Sequence, residues 1–243
     1  MRLKHKACAK LGIGISDIVL GNDATQAQLE QIIQQLNDDP AVHGILVQLP
    51  LLDGIDEERI IDLIEPTKDV DGFGPINLGL LAQRGRKPHF TPATPAGVIH
   101  LIKTTGFDLR GKNAVVVGRS NIVGMPTALL LKEEDATVTI THRHTADLAH
   151  HTRNADVLVV AAGKPHLITA DMIKPNAVVI DVGVNYVDDP SAKRGYRIMG
   201  DVDFEAAVNV ASHITPVPGG VGPMTITMLL QNVVTAAQRL LVS

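Results

Sequence analysis

The sequence predicts an α/β fold in which a parallel sheet is covered by helices on both faces, joined to a smaller second α/β domain. Three observations carry this. The runs NAVVVG (113–118), DVLVVAAG (156–163) and AVVIDVG (177–183) are almost continuous in aliphatic residues, and TVTIT (137–141) is β-branched throughout, as strands of a sheet covered on both faces are expected to be. Helical stretches at 123–132 and near 145–153 separate them, giving the βαβαβ alternation of a parallel sheet. Finally, hydrophobic residues make up 45% of the 243-residue chain but aromatic ones only 2%, with no Trp, so the core rests on branched aliphatic side chains. This length holds one large or two small domains.

Ahead of that unit, residues 2–11 read as a basic helix and Ile15–Leu20 as a short strand. Thr25 or Asp23 caps a helix running to Gln35, with Leu29, Ile32, Ile33 and Leu36 on one face. A buried-type strand over 43–50 and a helix over 57–64 follow. The Pro- and Gly-rich stretch 66–97 reads as loops that line a site and cross between domains. After the sheet, GDVDF (200–204) starts a short element, and a final amphipathic helix spans about 224–241.

Several segments carry candidate chemistry. ITPVPGGVGPMTITM (214–228) places three prolines and three glycines between Pro216 and Pro223, just before a helix; such a turn suits a ligand, and also a rigid connector. The turn after the first sheet strand, Gly118-Arg119-Ser120-Asn121-Ile122-Val123-Gly124, departs from G-x-G-x-x-G. It keeps a glycine at the strand end and a second where helix meets sheet, so a dinucleotide is its natural occupant. At the end of the second strand, where NAD enzymes carry an acid, stands Thr141-His142-Arg143-His144. That favours NADP, with Arg119 or Arg143 to meet a 2′-phosphate. Gln48 ends an apolar strand at a sheet's carboxyl edge. Asp69 and Asp71 in KDVDG form either paired carboxylates or a turn, and Lys4 by itself reads as a solvated cation.

Other features bound the function. The net charge of −4 gives no basic field for nucleic acid or anionic lipid. Cys8, the single cysteine, points to a reducing, cytoplasmic setting. No membrane span or signal peptide is expected, and the ten histidines show no metal spacing, so no metal is expected.

Taken together, GILVQLPL (44–51), PTKDVDG (66–72), TPATPAG (91–97), VVGRSNIVGMP (116–126), THRHT (141–145), IDVGVN (180–185) and ITPVPGGVGPMT (214–225) resemble the bifunctional methylenetetrahydrofolate dehydrogenase/methenyltetrahydrofolate cyclohydrolase family. The resemblance covers nearly the whole chain in order. It implies a folate-binding catalytic domain over 1–95, completed by a C-terminal helix over 224–243, and a Rossmann-like NADP-binding domain over 96–223, with the folate in a cleft between them. It implies NADP as cofactor, tetrahydrofolate derivatives, polyglutamylated forms included, as substrates, and a homodimer. Lys4, Gln48 and Asp71 then match the family's catalytic lysine, its partner and the pterin-binding acid. Gly118, Arg119, Ser120, Ile122, Val123, Arg143, Thr145, Gly183 and Val184 match the cofactor site, and Leu49, Pro50, Pro218, Gly219 and Gly220 the substrate cleft.

Family members carry several tens of residues before the lysine, including a tyrosine four positions upstream, whereas here three residues precede Lys4. Either the start lies further upstream or the chain is a genuine fragment; for a fragment, an exposed sheet edge and poor solubility are expected of the first domain. The alternative reading is a truncated, catalytically impaired NADP-binding homologue. A shikimate-type two-domain dehydrogenase is disfavoured by VQLP and PVPGGVGP.

Overall fold

A computed structural model describes residues 2–240 of the chain. Met1 and the last three residues of the helix expected over 224–243 lie outside the described residues. The polypeptide forms two compact units, residues 1–93 with 226–243 and residues 94–225.

In the first unit, α1 (Arg2–Lys10), α2 (Gln26–Asp38), α3 (Glu57–Asp62) and α4 (Pro75–Ala82) are joined by long irregular segments. Helix α2 starts where a capping box allows: the Thr25 hydroxyl accepts from Gln28 N, and the Gln28 side chain accepts from Thr25 N. It ends on a cation, because the buried Lys68 ammonium donates to the carbonyls of Leu36, Asn37 and Asp39 at 2.9, 2.6 and 2.8 Å. Leu29 and Ile33 of α2 pack with Ile45, Ile60 and Ile64. A second cluster joins Val70, Phe90 and Ala93 to Leu229 and Ala236, on the portion of the last helix that belongs to this unit.

In the second unit, the helix α5 (Ala93–Thr104) precedes β1 (Asn113–Val117), α6 (Gly124–Glu133), β2 (Thr137–Thr141), α7 (Leu148–Thr152), β3 (Val157–Val160) and β4 (Val178–Asp181). Then come β5 (Asn185–Asp188), β6 (Tyr196–Met199), α8 (Phe204–Ala207), β7 (His213–Ile214) and the long α9 (Val221–Leu240), whose residues from Ile226 onward belong to the first unit. The main sheet is parallel throughout, in the order β2-β1-β3-β4-β7. Strands β1, β3 and β4 contribute to apolar clusters on both faces, around Val116, Val159 and Leu131 on one and Val115, Leu158 and Ile168 on the other. The predicted α/β class and its parallel sheet are thus what the chain forms.

Several local expectations fail for identifiable reasons. Residues 15–20 form no strand, and Ile15, Ile18, Val19 and Leu20 are exposed; high β-propensity does not make a strand without a ladder partner. The 43–50 segment contributes only a parallel bridge from Ile45 to Asp69. Its ladder stops there because Val70 N turns back onto Lys68 O at 2.9 Å, the same carbonyl that accepts from Ile45 N at 2.8 Å. The 66–97 stretch is not all loop: Pro75 at the first helical position opens α4, and α5 begins at Ala93. Helix α9 starts three residues before the position expected, since Gly222 and Pro223 fit within a first turn that needs few donors. The antiparallel β5–β6 hairpin, with the Tyr186 and Tyr196 rings 5.2 Å apart, was not anticipated.

Candidate active site

In the first unit the geometry separates two carboxylates that the sequence shows as a near-identical pair. Asp69 is buried and fully engaged: its oxygens accept from Gly72 N, Gly74 N and the Asn77 amide at 3.0, 2.9 and 2.9 Å. Asn77 extends the clamp, accepting from His89 N and Phe90 N. From α9, Asn232 donates to Val70 O and Thr91 O, both at 2.9 Å. With Lys68 closing α2 and Val70 in the core, each neighbour of Asp71 is committed to structure. Among the described residues, the carboxylate of Asp71 receives no hydrogen bond from its own loop. Loss of water around it pushes its pKa up to about 6, an effect opposed by the Lys4 charge and increased by Asp69.

Lys4, half-buried on α1, is therefore close enough to bear on Asp71. The turn Gln48-Leu49-Pro50 leaves the Ile45–Asp69 bridge in the same chain direction as Asp71. Gln48 is exposed rather than seated at a strand end, and its amide donates to Leu49 O at 3.0 Å; the Leu49–Pro50 bond is cis.

In the second unit, Gly118 ends β1 with φ +122°, and a Cβ there would lie 2.1 Å from the Ala161 carbonyl oxygen of the neighbouring β3 end. The turn that follows is held by Ser120, whose hydroxyl accepts from Val123 N and Gly124 N at 3.3 Å each. Arg119, Asn121 and Ile122 are exposed, Val123 is half-buried, and α6 opens immediately after. At the end of β2, His142 N donates to the Thr145 hydroxyl and Thr145 N to His142 O, both at 2.8 Å. That tight turn leaves Arg143 and His144 exposed. Gly183 is buried after β4 and Val184 is exposed beside it. Pro218, Gly219 and Gly220 also fall in this unit, after the cis Val217–Pro218 bond, with Gly220 N donating to Pro216 O at 2.9 Å. The substrate residues named from sequence thus divide between the units, Leu49 and Pro50 in the first and 218–220 in the second.

Two buried acids shape this end of the sheet, and the sequence reading missed both. Asp201 accepts from Ala162 N, Gly163 N, Lys164 N and the Asn185 amide at 2.6, 2.9, 2.9 and 2.8 Å. Asp181 accepts from Gly183 N, Asp201 N and Val202 N; burial pushes its pKa up to about 6 against those bonds. An acid one or two positions from a glycine, in DVG (181–183) and GDV (200–202), was the available signal. Replacing Asp201 by Ala strips three loop N–H groups of their partner and is expected to cost about 2–4 kcal/mol. Urea unfolding checks this, and an unshifted midpoint would show that those groups find water instead.

Among the described residues no group of three or more His, Cys, Asp or Glu is placed to hold a metal ion. No helix among them is long and apolar enough to cross a membrane.

Residues 1–71 match the catalytic-domain model of tetrahydrofolate dehydrogenase/cyclohydrolase, and residues 92–241 match the NAD(P)-binding-domain model of the same enzymes. The chain belongs to the tetrahydrofolate dehydrogenase/cyclohydrolase family. Bifunctional protein FolD 4, chloroplastic, from Arabidopsis thaliana is 53% identical over 240 residues, spanning 99% of this chain and 67% of its own length. Bifunctional protein FolD 1 from Myxococcus xanthus is 55% identical over 238 residues, 97% of this chain and 81% of its own. Among solved structures, the Trypanosoma brucei methylenetetrahydrofolate dehydrogenase-cyclohydrolase, complexed with NADP cofactor and inhibitor, superposes with a TM-score of 0.94. It is 45% identical and covers 98% of this chain and 81% of that one. As in that family, the parallel sheet of residues 94–225 is a Rossmann-like nucleotide-binding unit.

Proposed function

We propose that this chain oxidises 5,10-methylenetetrahydrofolate with NADP and hydrolyses the resulting 5,10-methenyltetrahydrofolate to 10-formyltetrahydrofolate. The observation that carries the reading is the state of Asp71: within KDVDG its carboxylate alone is left for a ligand, and the Lys4 charge bears on it. The comparisons favour this active enzyme over the impaired NADP-binding homologue. Residues 1–95 with the last helix are proposed as the folate-binding domain and 96–223 as the NADP-binding domain.

The second unit fits the cofactor. The space a Cβ would fill at Gly118 is closed by backbone, so the strand end is bare; exposed Arg143 stands at the end of β2, where an acid would repel a 2′-phosphate, and exposed Arg119 follows β1. Gly118, Arg119, Ser120, Ile122, Val123, Arg143, Thr145, Gly183 and Val184 would hold it. Bound NADP supplies the hydride acceptor for two-electron oxidation of the substrate's methylene carbon.

Asp71, ionised above about pH 6, accepts hydrogen bonds from the pterin's amino and ring N–H groups and fixes its orientation. Lys4, with Gln48 as its partner, manages the proton released when water adds to the methenyl carbon and the ring C–N bond opens. Leu49, Pro50, Pro218, Gly219 and Gly220 are proposed to line the folate. A homodimer and a cytoplasmic location are proposed with this reading, the former checked by sedimentation.

The test is absorbance-monitored conversion of methylenetetrahydrofolate with NADP and with NAD, beside hydrolysis of methenyltetrahydrofolate. Turnover with NADP supports the reading, and binding of NADP without either turnover refutes it. Since protonated Asp71 loses acceptor capacity, kcat/KM should fall as pH drops through about 6. Asp71→Asn should lower kcat/KM by about 10–100-fold and remove that limb. A limb that survives in the variant would assign it to another group.

A further inference from the structure

We propose that Asn232, on the last helix, is a positioning residue for Asp71: it holds the peptide group that leads into the acid and so fixes where the carboxylate is presented. The proposal rests on the reading of Asp71 as the pterin-binding acid.

Asn232 follows Leu229 and precedes Ala236 at the spacing that puts all three on one face of α9. Leu229 and Ala236 pack with Val70, Phe90 and Ala93, so the half-buried amide of Asn232 sits on an apolar face, where a polar group is costly unless its donors are used. They are used: the amide donates to Val70 O and to Thr91 O, at 2.9 Å each. Val70 and Thr91 lie outside the helices and strands, so their carbonyls have no regular ladder to enter and take a side chain instead.

The Val70 carbonyl and the Asp71 N–H belong to one planar peptide group, so Asn232 orients the backbone that enters Asp71. The peptide group that leaves it is held by Asp69, because Gly72 N donates to Asp69 O and to Asp69 Oδ1, both at 3.0 Å. The second carbonyl on Asn232 serves the same end. Gly72, at φ +77°, lies so close to the 90–92 backbone that a Cβ on it would come within 2.8 Å of Phe90 O and Thr91 C. By holding Thr91 O and Val70 O to one amide, Asn232 keeps in place the segment against which Gly72 rests. The main chain of Asp71 is thus gripped on both sides, and its carboxylate is left to meet a ligand from a fixed origin.

Steady-state kinetics of the purified chain with methylenetetrahydrofolate and NADP, across Asn232→Leu, Asp71→Asn and the double variant, test the proposal. Asn232→Leu nearly keeps the side-chain volume and removes the donors. It should raise the folate KM and lower kcat, for a loss of about tenfold in kcat/KM, the scale on which a misplaced binding group acts, with the KM for NADP unchanged. Because the effect runs through Asp71, the same substitution made in Asp71→Asn should cost no more than about twofold. A merely structural role gives a different pattern: unfolding removes active molecules, which lowers kcat alone and by the same factor in both backgrounds. Asn232→Ser, whose single O–H can serve only one of the two carbonyls, takes the place of Asn232→Leu if that chain does not fold, with a smaller loss of the same pattern. Equal losses in the two backgrounds, or an unchanged folate KM, overturn the proposal. If the parent chain does not oxidise methylenetetrahydrofolate, the folate reading itself has failed and the proposal falls with it.

Discussion

Lys4→Met is expected to lower hydrolysis of methenyltetrahydrofolate by about 10²–10⁴-fold, the range over which a positioned proton-transfer group acts. The substitution keeps the length of the side chain and its apolar packing on α1 but removes the nitrogen. Lys4 is half-buried, and its ammonium lowers the pKa of Asp71, so a second effect follows with a definite sign. Without the cation the Asp71 carboxyl rises further above about 6, and the acid limb of kcat/KM for the dehydrogenase reaction moves to higher pH. A merely structural role for Lys4 would lower both activities together and leave the limb in place. Parallel pH profiles of the two reactions, with urea midpoints as a control on folding, separate the cases.

The sheet was legible because its signal is redundant: β1, β3 and β4 hold four, four and three apolar residues in a row, all of them buried. The 43–50 segment has the same composition yet makes one bridge, because pairing depends on the partner's path, and the bend of 68–70 is written in hydrogen bonds rather than in residue type. The carboxylates of KDVDG show a similar limit. Sequence places Asp69 and Asp71 on equal footing, and the difference arises from Asn77, Gly72 and Gly74 converging on Asp69, which no local pattern reveals. Lys4 was legible only through resemblance; on composition a lysine of a basic helix is a solvated charge. Asp181 and Asp201 were missed because most of their partners are backbone N–H groups at positions 20 to 39 residues away.

Gly118→Ala is expected to destabilise the second unit and to abolish NADP binding. Two costs combine. A non-glycine residue at φ +122° is strained by about 1–3 kcal/mol, and the new methyl carbon would sit 2.1 Å from the Ala161 oxygen, forcing the β1 and β3 ends apart at about 1–3 kcal/mol more. The parting matters beyond stability, since Ala161 N also donates to Val117 O at 2.7 Å, so the shift disturbs the ladder that sets the height of the turn proposed to bind NADP. Gly219 supplies the control. It too has positive φ, +111°, but a Cβ there meets nothing within 4 Å. Gly219→Ala therefore bears the backbone strain alone, and the difference between the two urea midpoints isolates the contact with Ala161. Equal losses would mean that strain dominates and that the close approach of β1 to β3 is soft. A larger loss at Gly118, together with lost NADP binding, would mean that this position admits only glycine because two strand ends are held too close for any side chain.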